Sequence, residues 1–162
     1  MAKEKEFRNN VMRLLDEAGV SYKVHEYPHI EGQAVDGQSV AEMLGMDPMQ
    51  VYKTLVTVGA SGEHYVFVLP VCEGLDLKKA ARAVGEKNVE MIAVKELLPL
   101  TGYIRGGCSP IGMKKPFKTV FCELVTMVDT VTVSAGKIGH QIELSPDALL
   151  RITGGITADI TM

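Results

Sequence analysis

Val51-Tyr52-Lys53-Thr54-Leu55-Val56-Thr57-Val58, then Gly59-Ala60-Ser61-Gly62-Glu63, then His64-Tyr65-Val66-Phe67-Val68-Leu69: two runs of β-branched and aromatic residues enclose five residues of turn chemistry. This pattern predicts a β-hairpin, with one strand following another and no helix between them. Upstream, Ser39-Val40-Ala41-Glu42 is a capping-box pattern opening a short helix that Gly45 closes, and Glu31 to Gln38 reads as a loop. Ser21 to Tyr27 alternates as a short strand ending at Pro28. Before it, Phe7, Val11, Leu14, Leu15 and Ala18 recur at helical spacing and Gly19 follows as a stop. Downstream, Asp76 caps a helix carrying Leu77, Ala80, Ala81 and Val84, stopped by Gly85; Val89 to Ala93 is a brief apolar run and Val94 to Leu98 a helical turn. Strands are expected at Thr119–Leu124, Thr130–Ser134 and Gln141–Leu144. Ser145-Pro146-Asp147 starts a last helix through Ile152, and Ala158 to Thr161 returns as an edge strand. Strands so often follow strands that a repeating βα unit is excluded. The class is α+β, helices packed on a largely antiparallel or mixed sheet, in a single domain over residues 1–162 with no repeat or linker.

Composition narrows the function classes. With 46% hydrophobic and 23% charged residues, the chain is neither disordered nor a coiled coil. The longest strongly apolar stretch, Tyr65 to Val71, is far shorter than the ~20 residues of a membrane helix, and the charged start Met1-Ala2-Lys3-Glu4-Lys5-Glu6 is no secretory signal. No membrane partner is expected. Seventeen Lys and Arg against 20 Asp and Glu give a net charge of −3, which argues against a dedicated DNA or RNA binder of high affinity. Cys72, Cys108 and Cys122 are odd in number and lack a CxxC pair, and Pro28 separates His25 from His29. Neither a disulfide framework nor a metal site is expected, no cofactor motif is present, and a reducing cytoplasm is the expected compartment.

Three features could carry chemistry. Period two puts Lys53 on one strand face with Val51 and Leu55, where a lysine either binds an anion or tunes a reaction, or else discourages edge pairing with its stem snorkelling to water. Gly102-Tyr103-Ile104-Arg105-Gly106-Gly107-Cys108-Ser109-Pro110-Ile111-Gly112 allows close backbone approach to an oxyanion or phosphate, or forms an ordinary turn; it is neither a Walker A loop nor a dinucleotide fingerprint. Ser134-Ala135-Gly136-Lys137-Ile138-Gly139 is a similar small-residue loop with one cation, or a hairpin turn with a solvated lysine. Cys108 and Ser109 lack the local signatures of a nucleophile. The clusters Lys78-Lys79-Arg82 and Lys114-Lys115-Lys118 are solvated faces or phosphate contacts.

Taken in order, Lys53-Thr54-Leu55, Leu75-Asp76-Leu77-Lys78-Lys79, the loop from Thr101 to Gly112 and Val133-Ser134-Ala135-Gly136-Lys137 resemble the YbaK family, freestanding aminoacyl-tRNA editing proteins that clear cysteine from mischarged tRNA(Pro). The resemblance extends from about Leu14 to Ile160. It implies a curved mixed β-sheet, partly barrel-like and surrounded by helices, like the editing domain inserted in bacterial prolyl-tRNA synthetases. It also implies catalytic roles for Lys53, Tyr27, Gly106 and Ser134, with Thr54, Arg105, Gly107, Cys108, Ser109, Pro110, Gly136 and Lys137 around the substrate. Two positions depart from the family pattern: Cys108 stands where isoleucine is common, and Ile138 where arginine is common, which removes a cation from that loop. A related branch that edits alanyl-tRNA(Pro) has a His-Pro pair near its C-terminal end; here Gln141 follows His140, favouring the cysteine branch.

The expected activity is deacylation of Cys-tRNA(Pro), in which the substrate's own thiol attacks the ester carbonyl and leaves as a thiolactone. Backbone N–H groups around Gly106 and Gly107 would hold the oxyanion, Lys53 the terminal phosphate or the thiolate, and Tyr27 the shape of the pocket. The expected partner is the aminoacylated tRNA acceptor end, with a prolyl-tRNA synthetase complex supplying contacts to the tRNA body. The competing expectations are a non-enzymatic binding module or synthetase adaptor for the same ends, and a deacylase for another small amino acid such as alanine.

Overall fold

The computed structural model describes residues 9–162. Among these residues, eight strands form two sheets. β1 (Tyr22–Glu26), β7 (His140–Leu144) and β6 (Val131–Ser134) make an antiparallel three-stranded sheet in that order. The larger sheet runs β4 (Val89–Met91), β2 (Tyr52–Gly59), β3 (His64–Pro70), β5 (Lys118–Cys122) and β8 (Ile156–Ala158). Its first three strands are antiparallel and its last two parallel, so the sheet is mixed. Val51 forms a bridge with Thr132, and the Thr132 N–H donates to the Gln50 carbonyl at 3.0 Å. The start of β2 therefore joins β6 while its far end pairs with β4, and the two sheets curve into a partly closed shell. The expected α+β class and mixed sheet are what the chain adopts.

Among the described residues, five two-turn helices pack around the shell: α1 (Asn10–Glu17), α2 (Gly37–Leu44), α3 (Leu77–Val84), α4 (Val94–Thr101) and α5 (Pro146–Thr153). None of them is long and apolar enough to cross a membrane. One core cluster runs from Val11 and Leu15 through Phe67, Phe121 and Ile142 to Ile160. A small satellite of Ala41, Val51 and Val71 lies under α2.

The hairpin predicted at Val51–Leu69 forms, with Lys53 opposite Leu69 and Val58 opposite His64. Asp76 caps α3 as expected, accepting the Lys78 and Lys79 N–H groups, and Ser145 caps α5. Other boundaries move for identifiable reasons. α2 begins a turn earlier than the Ser39 box predicts, because the Asp36 carboxylate accepts the Ser39 N–H at 3.1 Å and the Ser39 hydroxyl at 2.7 Å; an anion at the helix N-terminus is the better cap. α4 continues through Pro99 to Thr101, whose hydroxyl donates to the Leu97 carbonyl. The strand expected through Leu124 stops at Cys122, where Glu123–Met127 winds into a 3-10 turn that buries Val125. The edge strand expected at Ala158 to Thr161 lies at Ile156–Ala158, beside β5, while Thr161 bridges to Leu75. In α1, Met12 joins Val11 and Leu15 in the core and Ala18 is an exposed cap; Phe7 lies outside the described residues.

Candidate active site

The start of β2 forms one wall of a cavity of about 580 Å³, contributing Tyr52, Lys53, Thr54 and Leu55. Tyr27, immediately after β1, stands beside it, held in place by its own N–H donating to the Gly139 carbonyl at 3.0 Å. Arg105, Gly106 and Cys108 enter from the glycine-rich loop, Ser134 from the end of β6 and Gln141 from β7. The segment entering α2, Ala34 to Gly37, completes the rim. Four residues far apart in sequence, Tyr27, Lys53, Gly106 and Ser134, thus meet at one cavity.

The two small-residue loops are built to touch. Gly106 has φ +88°, and a Cβ there would stand 2.8 Å from the Ala34 Cβ and 3.3 Å from Ile138. A Cβ on Gly107 would stand 3.2 Å from the Lys137 Cα. Only residues without side chains let the loops close this far. Ile138 is buried against Gly106, so the position that lacks the family's arginine serves packing instead.

The residues of these loops divide by place. Thr54, Arg105 and Cys108 line the cavity with Lys53, whereas Gly107, Ser109, Pro110, Gly136 and Lys137 do not. The Gly107 N–H is committed to the Ile104 carbonyl at 3.0 Å, so the expected pair of backbone donors reduces to Gly106, whose N–H has no partner among the described residues. Ser109 is fully buried and its hydroxyl oxygen accepts the Ile111 N–H. Gly136 packs on Tyr103 and donates to the Ser134 hydroxyl at 3.2 Å. These residues shape the loops from behind.

Burial holds the half-buried Lys53 ammonium below the usual lysine range, with the Cys72 and Glu73 charges opposing that shift. Burial pushes the Cys108 thiol up to about 12, against a hydrogen bond from Thr101, so it stays protonated at neutral pH and is a poor nucleophile. Lys53 and Arg105 face a single lining carboxylate, Asp36, which hydrogen bonds from Ser39 hold below its usual range and which is occupied in capping α2. The cavity therefore favours a ligand with a negative end. Among the described residues no three His, Cys, Asp or Glu side chains come together to hold a metal ion.

Buried polar atoms mark further residues. Tyr27 Oη, Tyr52 Oη, Thr54 Oγ1 and Gln141 Oε1 have no hydrogen-bond partner among the described residues, and all four residues line this cavity. Such groups are costly to leave unpaired, which is the pattern of a site that completes its hydrogen bonds with a ligand. Sequence reasoning missed Tyr52, Gln141 and the Asp36–Gly37 corner: Tyr52 reads as core on its strand, and nothing local distinguishes Gln141.

The chain is similar to known proteins in sequence and in fold. The aminoacyl-tRNA editing domain family matches over residues 31–152. A candidate Cys-tRNA(Pro)/Cys-tRNA(Cys) deacylase of Enterococcus faecalis, EbsC, is 48% identical over 162 residues, 99% of this chain and 98% of that protein. The crystal structure of a candidate trans-editing enzyme for prolyl-tRNA synthetase superposes with a TM-score of 0.82 at 28% identity, covering 96% of this chain and 99% of the other. A scaffold from the computational grafting of linear epitopes superposes equally, with a TM-score of 0.82, 28% identity and 94% of each chain covered.

Proposed function

The chain belongs to the aminoacyl-tRNA editing domain family, and on that premise we propose that it deacylates tRNA, clearing cysteine wrongly esterified to tRNA(Pro). The observation that carries this reading is the convergence of Lys53, Tyr27, Gly106 and Ser134 on one cavity whose only cysteine, Cys108, is held as a neutral thiol. A site of this kind suits a substrate that brings its own nucleophile.

The cysteinyl sulfur attacks its own ester carbonyl. The new S–C bond closes a thiolactone, the ester C–O bond breaks, and the thiol proton ends on the ribose hydroxyl of the departing tRNA. Water later opens the thiolactone to cysteine. Holding the thiol and carbonyl in attack geometry is worth roughly 7–11 kcal/mol. The free Gly106 N–H supplies one oxyanion donor, a contact typically worth about 3 kcal/mol. Lys53 binds the phosphate of the terminal adenosine, and Tyr27 limits the pocket to a small side chain and offers its hydroxyl to the substrate. Ser134 fixes the second loop through Gly136. Thr54 and Arg105 complete the substrate contacts. The substrate partner is the aminoacylated acceptor end, a prolyl-tRNA synthetase supplies contacts to the tRNA body, and the site of action is the cytoplasm.

The deciding measurement is a deacylation time course with cysteinyl- and seryl-tRNA(Pro). The cysteine ester should be cleaved at least about a hundredfold faster than the serine ester, because a thiol is by far the better nucleophile near neutral pH. Lys53→Ala should lower kcat/KM by about a hundredfold. Equal turnover of the two esters removes the thiol-assisted route. No turnover of either by the wild type replaces the enzyme with a binding module.

A further inference from the structure

Outside the catalytic cavity, a groove of about 530 Å³ opens between α3 and β4. Lys78 and Arg82 line it from α3, four residues apart and so on one helix face, and Lys87 and Asn88 line it from the loop that follows. All four are exposed. Its floor is apolar, formed by Ala81 and Val89.

The neighbouring carboxylates do not cancel these cations. Glu86 also lines the groove, with its carboxylate accepting from the Tyr65 hydroxyl at 2.6 Å and from the Ser61 N–H of the β2–β3 hairpin at 3.2 Å, and the three cations outnumber it. Asp76 is taken by the backbone at the start of α3, and Asp159 by Lys79 at 3.1 Å. Glu90 follows Val89 on β4 and therefore lies on the opposite face of the strand from the groove floor. Three exposed cations thus share one recess on a chain whose net charge is −3.

We propose that this groove binds the phosphodiester backbone of the tRNA acceptor stem, a second contact with the substrate whose 3′ end enters the catalytic cavity. The choice of RNA rests on the deacylase reading; the anion site rests on the groove itself. β2 supplies the ruler. Tyr52 is in the cavity wall and Gly59 lies opposite Val89 at the groove. Seven residues at ~3.3 Å place the two about 23 Å apart along the strand. Recognition by phosphate contacts without reading bases is the usual mode for double-stranded RNA, and lysine and arginine are its usual agents.

The experiment compares wild type with Lys78→Ala/Arg82→Ala/Lys87→Ala, using uncharged tRNA(Pro) in a fluorescence-anisotropy titration across salt concentrations. The triple variant should weaken binding about tenfold or more at low salt and flatten the slope of log K against log salt by roughly 2 to 3. It should cleave the cysteinyl ester of a short 3′-terminal oligonucleotide at the wild-type rate. Lys78→Arg/Lys87→Arg should bind like wild type, which separates charge from folding. An unchanged slope overturns the proposal. So does unchanged tRNA affinity with loss of binding to purified prolyl-tRNA synthetase, which would make the groove a protein dock. Groove-dependent tRNA binding by a wild type that cleaves no aminoacyl-tRNA would overturn the deacylase reading and leave the groove standing.

Discussion

At Gly106 a single hydrogen atom in place of a side chain decides whether the site can exist. A methyl group there meets Ala34 at 2.8 Å on one side and Ile138 at 3.3 Å on the other, with φ at +88° adding backbone strain. Gly106→Ala should displace a free backbone donor at the cavity and lower kcat/KM for the cysteinyl ester by about a hundredfold, with KM nearly unchanged. Cys108→Ala is the control. Its thiol is neutral and buried, so the variant should keep most of the wild-type rate, and a comparable loss there would point to the cysteine as nucleophile. Both residues are legible in sequence as members of a glycine-rich loop. Which backbone N–H is free is not legible, because the Gly107 donor is consumed by Ile104 in a turn that only the folded loop defines.

At the scale of elements, one polar chain ties the small sheet to the large one. Gln50 donates to the Thr130 hydroxyl, Thr130 donates to Glu143, and Glu143 pairs with His25 at 2.8 Å. These contacts connect the start of β2, the start of β6, β7 and β1, the four segments that set the curvature behind the cavity. The hydrogen bond from Thr130, then that from His25, holds the Glu143 carboxyl below its ordinary value. Its stabilising contribution is therefore present above the unfolded carboxyl's pKa and is lost as pH falls through the lower folded value. Glu143→Gln should be less stable by about 1 kcal/mol at neutral pH. In denaturant melts from pH 7 to 3, wild type and variant should converge on the acid side; a constant gap would show that the charge is not what matters. Alternation and runs of β-branched and aromatic residues made most strands readable in advance, although β4 was read only as a brief apolar run. The pairings of the polar chain were not readable, since Gln50 lies 80 residues from Thr130 and His25 118 from Glu143, beyond any local pattern. Helix boundaries moved for the same kind of reason: Asp36 outcompeted Ser39 as a cap through geometry that spacing alone does not give.

Across the whole molecule, the chain returns at its end to structure begun near its middle. β8 pairs with β5, the Asp76 N–H donates to the Ile160 carbonyl, and Met162 donates to Gly74. Ile160 is fully buried in the core cluster that also contains Val11. Ile160→Ala should lower the unfolding free energy by about 2–5 kcal/mol, read from the midpoint of a urea melt; a loss under 1 kcal/mol would show that the tail is peripheral. The sequence pattern anticipated a returning edge strand but placed it two residues too late, because Ile156 shows the same apolar signal as Ile160 while only pairing geometry separates strand from bridge. That closing strand also bears on synthesis. A ribosome releases the chain from its N-terminus, so α3 and β5 emerge before the residues that cover them exist. The sheet stays unfinished until residues 156–158 have left the ribosome, and premature stops anywhere before Ile156 should yield chains for proteolysis rather than partly active fragments.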